Sequence, residues 1–264
     1  MTSSKMRDIQ GERDLRNMYI DKVGVREVYW PIQVLDRAGG TQDTVAKVSL
    51  SVMLPRDLRG THMSRFIEVL GEQEKQVTFH NMENLVCELC ERMDADEAHV
   101  EFDFPYFIAK AAPVSGVKGR VRYDARFYAS ITKGKFDLIT ELAAPIQTLC
   151  PCSKEISDFG AHNQRAHAVI AVRMNSFIWM EELAEITDSC ASAPVYSVLK
   201  REDEKAVTER AYQSPRFVED TVRDLALAME EEKRISWFRV SVTSHESIHN
   251  HDAFACIERV KYNA

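Results

Sequence analysis

Two periods of apolar residues alternate along this chain. Residues 25–36 and 44–54 read as strands, the second alternating at Val45, Lys47, Ser49 and their neighbours, with the turn-rich RAGGTQD between them. Met63, Phe66, Ile67 and Leu70 then fall at i, i+3, i+4 and i+7, an amphipathic helix shortened by Gly71. Met82, Leu85, Val86, Leu89 and Met93 repeat that spacing in a second helix. Residues 100–109 and 121–131, rich in β-branched and aromatic side chains, read as two more strands joined around SGVKG. Residues 1–24 are polar and aperiodic and read as an N-terminal arm.

The stretch Thr132-Lys-Gly-Lys135 interrupts the pattern, and the same order begins again. Residues 136–146 and 167–172 read as strands and 177–186 as a helix. Ser214 and Pro215 supply an N-cap and a first-turn proline for another helix, with Val218, Val222, Leu225 and Met229 on one face. Residues 237–242 and 253–260 close the chain as strands. The expected fold class is α+β: two tandem ββααββ modules, 25–134 and 135–264, sharing an order of elements rather than a repeated sequence. In each, helices pack on one face of an antiparallel sheet.

Composition narrows the function. The chain has 264 residues, 45% of them apolar, and no run approaches the ~20 apolar residues of a membrane helix. The N-terminal MTSSKMRDIQGERDLR has no apolar segment of a secretory signal, so the reading is a cytoplasmic protein with no membrane contact. A net charge of −7 argues against general nucleic-acid binding, which relies on neutralising phosphates with Lys and Arg. The six cysteines show no disulfide framework, and reduced thiols, buried or metal-bound, are expected.

Two motifs mislead. His245-Glu-Ser-Ile-His249 matches the zinc-peptidase pattern, which requires a helix to set its histidines ~6 Å apart. Here the preceding residues alternate like a strand, where the two would stand ~13 Å apart. Cys87-Glu-Leu-Cys90 lies within the second helix, and with Cys190 and Cys256 is read as small buried thiols.

Leu149-Cys-Pro-Cys-Ser-Lys154 is different, because it places two thiols at a strand end just before Ala161-His-Asn-Gln-Arg165. A cysteine and a histidine so presented suit zinc or iron, with a carboxylate from Lys200-Arg-Glu-Asp-Glu-Lys205 completing a catalytic site. The same residues also read as two buried cysteines beside a surface histidine. Arg56, Arg59 and Arg65 bracket Gly60-Thr61-His62, where Thr61 would cap the first helix and its free N–H groups would face a phosphate. The plain alternative is a solvated helix start.

LPRDLRGTHMSRF, LCPCSKEISDFGAHNQRAH, EDEKAVTERAYQSPRFVEDTVRDLA and HESIHNHDAFA together resemble the prokaryotic type IB GTP cyclohydrolases, in order and over most of the chain. The resemblance implies the tunnelling fold, two modules per chain, and a homotetramer with active sites at subunit interfaces. It also implies hydrolytic opening of the GTP imidazole ring, loss of formate, and rearrangement to 7,8-dihydroneopterin triphosphate, feeding folate-type pterin synthesis. Cys150, His162 and Glu204 become the expected ligands of one divalent metal, zinc, manganese or Fe(II). Glu219 becomes the residue that anchors the purine, since a carboxylate can accept from both the guanine N1–H and its 2-amino group. Cys152 is a proton carrier or an alternative ligand, and His249 a general acid or base. Arg56, Arg59, His62, Ser64, Arg65, Lys154 and Arg165 are candidates for the triphosphate. Two rivals are a related enzyme that reduces a deazaguanine nitrile with NADPH, and a non-catalytic purine- or metal-binding module.

Overall fold

The structure, a computed structural model, describes residues 8–74 and 76–261, so the first seven residues of the expected arm lie outside it. The order of elements is β1 (Ile20–Asp36), β2 (Gly40–Leu54), α1 (Met63–Glu72), β3 (Gln76–Val77), α2 (Phe79–Met93), β4 (Ala98–Ala111), β5 (Lys118–Thr132) and β6 (Lys135–Leu149). There follow α3 (Pro151–Ile156), β7 (Asn163–Met174), α4 (Met180–Cys190), β8 (Ala193–Pro194), α5 (Arg201–Gln213), α6 (Val218–Glu231), β9 (Ile235–Ser244) and β10 (Ala253–Val260).

The expected pair of ββααββ modules, each with its own sheet, is not what the chain builds. The strands form one ten-stranded sheet in the order β10-β9-β7-β6-β5-β4-β2-β1-β3, with β8 paired to β6. It is mostly antiparallel, and the two-residue β3 runs parallel to β1. The second half carries four helices and the short β8, not two helices. Two physical features explain the difference. Lys133 and Gly134 both take positive φ, 53° and 71°, and close a two-residue hairpin, so the stretch read as a break turns the chain back into the sheet. The polar stretches that became α3 and α5 show no broad apolar stripe to announce a helix.

By density of packing the chain divides into two compact units, one holding residues through Phe104 together with Phe127–Leu138, the other Pro105–Arg126 and the residues from Ile139 onward. In the first unit, Ala46, Val48, Leu50, Val52 and Leu54 turn one face of β2 to the core, and Phe66, Val69 and Leu70 of α1 with Met82, Leu85, Val86 and Leu89 of α2 are buried. Thr61 does not cap α1; the N-cap is His62, without a side-chain cap bond. Gly24 of β1 lies so close to β2 that an added Cβ would stand 1.9 Å from the Leu50 carbonyl oxygen. Of the cysteines expected to be buried, Cys190 is, whereas Cys87 and Cys256 are exposed and Cys90 is half-buried.

In the second unit, Leu142, Ala144 and Ile146 of β6, Ala166, Ala168, Ile170 and Val172 of β7, and Phe238, Val240 and Val242 of β9 form a core row with no solvent exposure. Helix α6 packs on β9 and β10, and α4 packs on α6. Ser214 and Pro215 do not open α6: Ser214 ends α5, and α6 starts at Val218, with the Asp220 carboxylate accepting from the Phe217 N–H at 3.0 Å. The far end of α6 is clamped by Arg234, which donates to Glu232 at 2.7 Å and to Glu182 of α4 at 2.9 Å. No helix of the described residues is long and apolar enough to cross a membrane.

Gly24→Ala is expected to lower the unfolding midpoint by several degrees or more, because backbone must move to admit the methyl group. Gly71→Ala, inside α1 with open space around it, is expected to stabilise by about 0.5–1 kcal/mol in denaturant titrations. The Arg234 hydrogen bond, against the opposing effect of burial, holds the Glu232 carboxyl down to about 2 from its ordinary 4.5. A depressed carboxylate stabilises above its unfolded pKa and loses that contribution as pH falls through the folded one. The difference in melting temperature between the protein and Arg234→Met should therefore be steady from pH 7 to about 5 and vanish towards pH 2.

Candidate active site

At one end of β6, β7, β9 and β10, strand ends and loops enclose a cavity of about 500 Å³. Cys150, His162, Glu219 and His249 all line it, with Gln164, Arg216, Glu246 and His251. Each arrives by a different route. Cys150 follows the last residue of β6 and is the N-cap of α3, its Sγ accepting from the Ser153 N–H at 3.4 Å. His162 precedes β7, and its backbone carbonyl accepts from the Cys150 N–H at 3.1 Å, which locks the thiol and imidazole segments together. The Ser153 hydroxyl adds a second tie, accepting from the His162 N–H at 3.1 Å. Glu219 stands exposed in the first turn of α6, where the helix dipole favours a carboxylate. His249 and His251 come from the loop between β9 and β10 and stack with ring centroids 5.1 Å apart.

Gln164 organises the floor. Its amide nitrogen shares two hydrogens among Ser244 Oγ at 3.1 Å, Thr148 Oγ1 at 3.3 Å and Glu246 Oε1 at 3.3 Å. Its Oε1 lies 2.9 Å from His162 Nδ1, so that nitrogen carries the hydrogen and Nε2 keeps its lone pair. A thiol and an imidazole with a free Nε2 in one cavity suit a borderline divalent cation. Arg216 is paired with Asp224 on the cavity wall.

The structure does not gather every residue expected here. Glu204 is exposed in the first turn of α5 and does not line the cavity, and among the described residues no three His, Cys, Asp or Glu side chains stand close enough to hold a metal. Its neighbour Asp203 is fully buried and structural, accepting from Ser115 and Val114 and from the Lys200 N–H. Cys152 is exposed in α3 and outside the cavity. Because residues 150–152 enter a helix, the rule that C-x-C side chains share a strand face does not apply. Lys154 donates to the Tyr212 carbonyl at 2.5 Å and lies over that ring. Arg165 faces a different groove. In the first unit, Arg59 pairs with Glu12 at 2.9 Å, Arg56 lies over Tyr19, His62 meets Asp8 at 3.4 Å, Arg65 reaches the Arg92 carbonyl at 3.5 Å, and Ser64 is exposed. His245 and His249 sit in the loop after β9, on neither the helix that the zinc-peptidase pattern requires nor the strand that the sequence suggested.

Gln164, Arg216 and Glu246 escaped the sequence reading although each lies inside a motif quoted for other residues. The signal was available for Gln164, since a polar side chain two residues past His162 on an extended strand shares its face. Arg216 and Glu246 carry no comparable local signal.

A ten-stranded, mostly antiparallel sheet with its cavity at the strand ends places the chain in the fold class of the uricases. Uricase from Arthrobacter globiformis superimposes with a TM-score of 0.52 at 7% identity, over 92% of this chain and 94% of that one. A hyperthermostable mutant of Bacillus sp. TB-90 urate oxidase gives 0.54 at 10% identity, over 94% and 99%. At those identities the likeness is one of fold alone. Sequence takes the assignment further. A family model described as type I GTP cyclohydrolase folE2 matches residues 6–255. Curated proteins named GTP cyclohydrolase FolE2 are similar over nearly the whole chain: 51% identity in Dictyoglomus thermophilum, covering 96% of this chain and 98% of the relative. In Caldicellulosiruptor saccharolyticus the figures are 52%, 96% and 98%. The chain belongs to the FolE2 family of type I GTP cyclohydrolases.

Gln164→Ala frees the His162 ring and is expected to weaken Co(II) binding about 10–100-fold, read from the thiolate-to-metal absorption. Unchanged Co(II) affinity would show that the ring needs no such support.

Proposed function

We infer that this chain converts GTP and water to 7,8-dihydroneopterin triphosphate and formate, as a GTP cyclohydrolase feeding folate-type pterin synthesis. The observation that carries the reading is that Cys150, His162, Glu219 and His249, drawn from four separate segments, line one cavity in a chain about half identical to curated GTP cyclohydrolases. The exposed position of Glu219 leaves its carboxylate free to accept from guanine N1–H and the 2-amino group, a pair of donors that adenine lacks.

Cys150 and His162, which share the cavity, are the proposed anchors of one divalent cation. Glu204 is proposed as the third donor although it stands outside that cavity within one chain. When bound, such a cation acidifies water and supplies hydroxide at neutral pH. The chain's own residues then do the positioning and the proton work. Glu219 fixes the purine edge, so that the imidazole ring of the base faces Cys150 and His162. His249, at the rim, gives a proton to the ring nitrogen released as the C8–N bond opens, and recovers one when formate departs. Gln164, which also donates to Glu246 on the polar floor, keeps the His162 ring from turning.

The chain is further proposed to work as a homotetramer with its sites at subunit interfaces. Support comes from β10, the edge strand of the sheet, which presents Phe254, 74% exposed, at the cavity rim. Light scattering coupled to size exclusion reads the assembly directly, and a monomer with full activity would overturn this part.

The reaction is tested on protein stripped with chelator and resupplied with zinc, manganese or ferrous iron, following formate release and pterin fluorescence after oxidation. Turnover should return with metal, and the ion that restores most of it names the cofactor. Cys150→Ala and His162→Ala should lose at least ~10³-fold in kcat together with bound metal, and Glu204→Ala should do the same if it is the third ligand. Glu219→Ala should act chiefly through KM for GTP. Undiminished rates in all four variants would overturn the reading.

A further inference from the structure

The arginines of the second unit are unevenly placed. Residues Arg120, Arg122 and Asp124 of β5, and Arg165 and His167 of β7, flank a groove of about 420 Å³ whose floor is Ala143 and Pro145 of β6. The loop after β8 closes one side with Tyr196 and Ser197. Strand alternation separates this groove from the cavity of Cys150. Gln164 points into that cavity and Arg165, the next residue on β7, into the groove, so the two lie on opposite faces of the strand. On β5 the same alternation buries Val121, Tyr123 and Ala125 and leaves Arg120, Arg122 and Asp124 on the open face.

The charge is not neutralised. Arg122 pairs with Asp124 at 2.6 Å, while Arg120 and Arg165 have no ion-pair partner among the described residues, in a chain whose net charge is −7. His167 is held in place by a hydrogen-bonded chain: its Nδ1 lies 3.1 Å from His245 Nε2, and His245 Nδ1 lies 3.0 Å from Asp252 Oδ2. With both rings neutral, Asp252 can only accept, so His245 donates to it from Nδ1 and accepts from His167 at Nε2. That leaves His167 Nε2 with a lone pair, able to accept from the hydroxyl of a singly protonated phosphate, beside two guanidinium forks suited to its other oxygens.

We propose that this groove is a second ligand site, which takes a compact, multiply charged phosphate anion on Arg120, Arg165 and His167, independently of the Cys150 cavity. The anion is either an inorganic polyphosphate or the phosphate chain of a nucleotide. The groove's small floor and its spread of donors fit a chain of phosphates better than a planar carboxylate, which one arginine fork would satisfy.

The test is calorimetric titration of the full-length protein with inorganic tripolyphosphate, in a Cys150→Ala, Glu219→Ala background that removes the proposed metal and purine anchors of the other cavity. One equivalent per chain should bind. Arg120→Ala and Arg165→Ala should each weaken it about tenfold or more, and Arg165→Lys should recover part of the loss. All three substitutions lie on an exposed face, and unchanged circular dichroism shows that the fold is kept. Displacement of tripolyphosphate by GTP but not guanosine identifies a nucleotide as the source, and no displacement by GTP identifies free polyphosphate. Absence of saturable binding, binding that ignores both arginines, or binding lost in the Cys150→Ala, Glu219→Ala background would overturn the proposal.

Discussion

Strand β7 is held between β6 and β9 by a row of side chains, Ala166, Ala168, Ile170 and Val172, that are fully withdrawn from solvent. The pairings Pro145–His167 and His167–Thr243 are therefore not free to slip, because a shift of one residue would carry that row to the open face. The same constraint sorts the polar residues at the strand's beginning. Gln164 is sent towards Cys150 and His162, and Arg165 and His167 to the groove on the other side. Both sites thus rest on the packing of small aliphatic residues that touch no ligand.

Beyond the strand ends the sheet no longer dictates geometry, and hydrogen bonds take over. Cys150 and His162 are fixed less by burial than by the backbone bond between them and by Ser153, which serves both. Gln164 then converts the position of the strand into the orientation of an imidazole. Glu219 depends on a remoter chain of cause: α6 is oriented by its packing on β9 and β10 and by the Arg234 clamp at its far end, so a carboxylate at its first turn is aimed from more than three helical turns away. Rigid supports far from the chemistry are what positional catalysis requires.

Long strands and the helices with broad apolar stripes were legible in the sequence because burial imposes a period there: α2 carries its five predicted apolar residues inward. What was not legible has a common cause. Helices α3 and α5 are polar, α6 starts at Val218, three residues beyond the Ser-Pro signal, with Asp220 accepting at its first turn, and α1 starts without the Thr61 cap. In each case local chemistry offered several equivalent starts, and tertiary packing chose. The division into two sheets failed for a sharper reason. A Lys-Gly pair with positive φ at both residues makes a hairpin as well as a boundary, and composition cannot tell the two apart. In the candidate site, the motif residues Cys150, His162, Glu219 and His249 converge, while Glu204 and Cys152 stand apart, since their neighbours Asp203 and Pro151 are committed to helix starts.

The acidic balance of the chain also reads differently once its arginines are placed. Arg59, Arg92, Arg216, Arg234 and Arg239 are each engaged by a carboxylate, so at those positions the surface presents an arginine and its counter-charge together. A negative field of that kind repels an anion at long range, and screening confines the repulsion to roughly 8–10 Å at physiological salt. Within that distance only unpaired arginines matter. An acidic protein that handles phosphate-bearing ligands therefore needs its free guanidinium groups concentrated in concave places, where a low-dielectric wall strengthens them and the surrounding carboxylates are screened. The open face of β5 and β7 meets that condition.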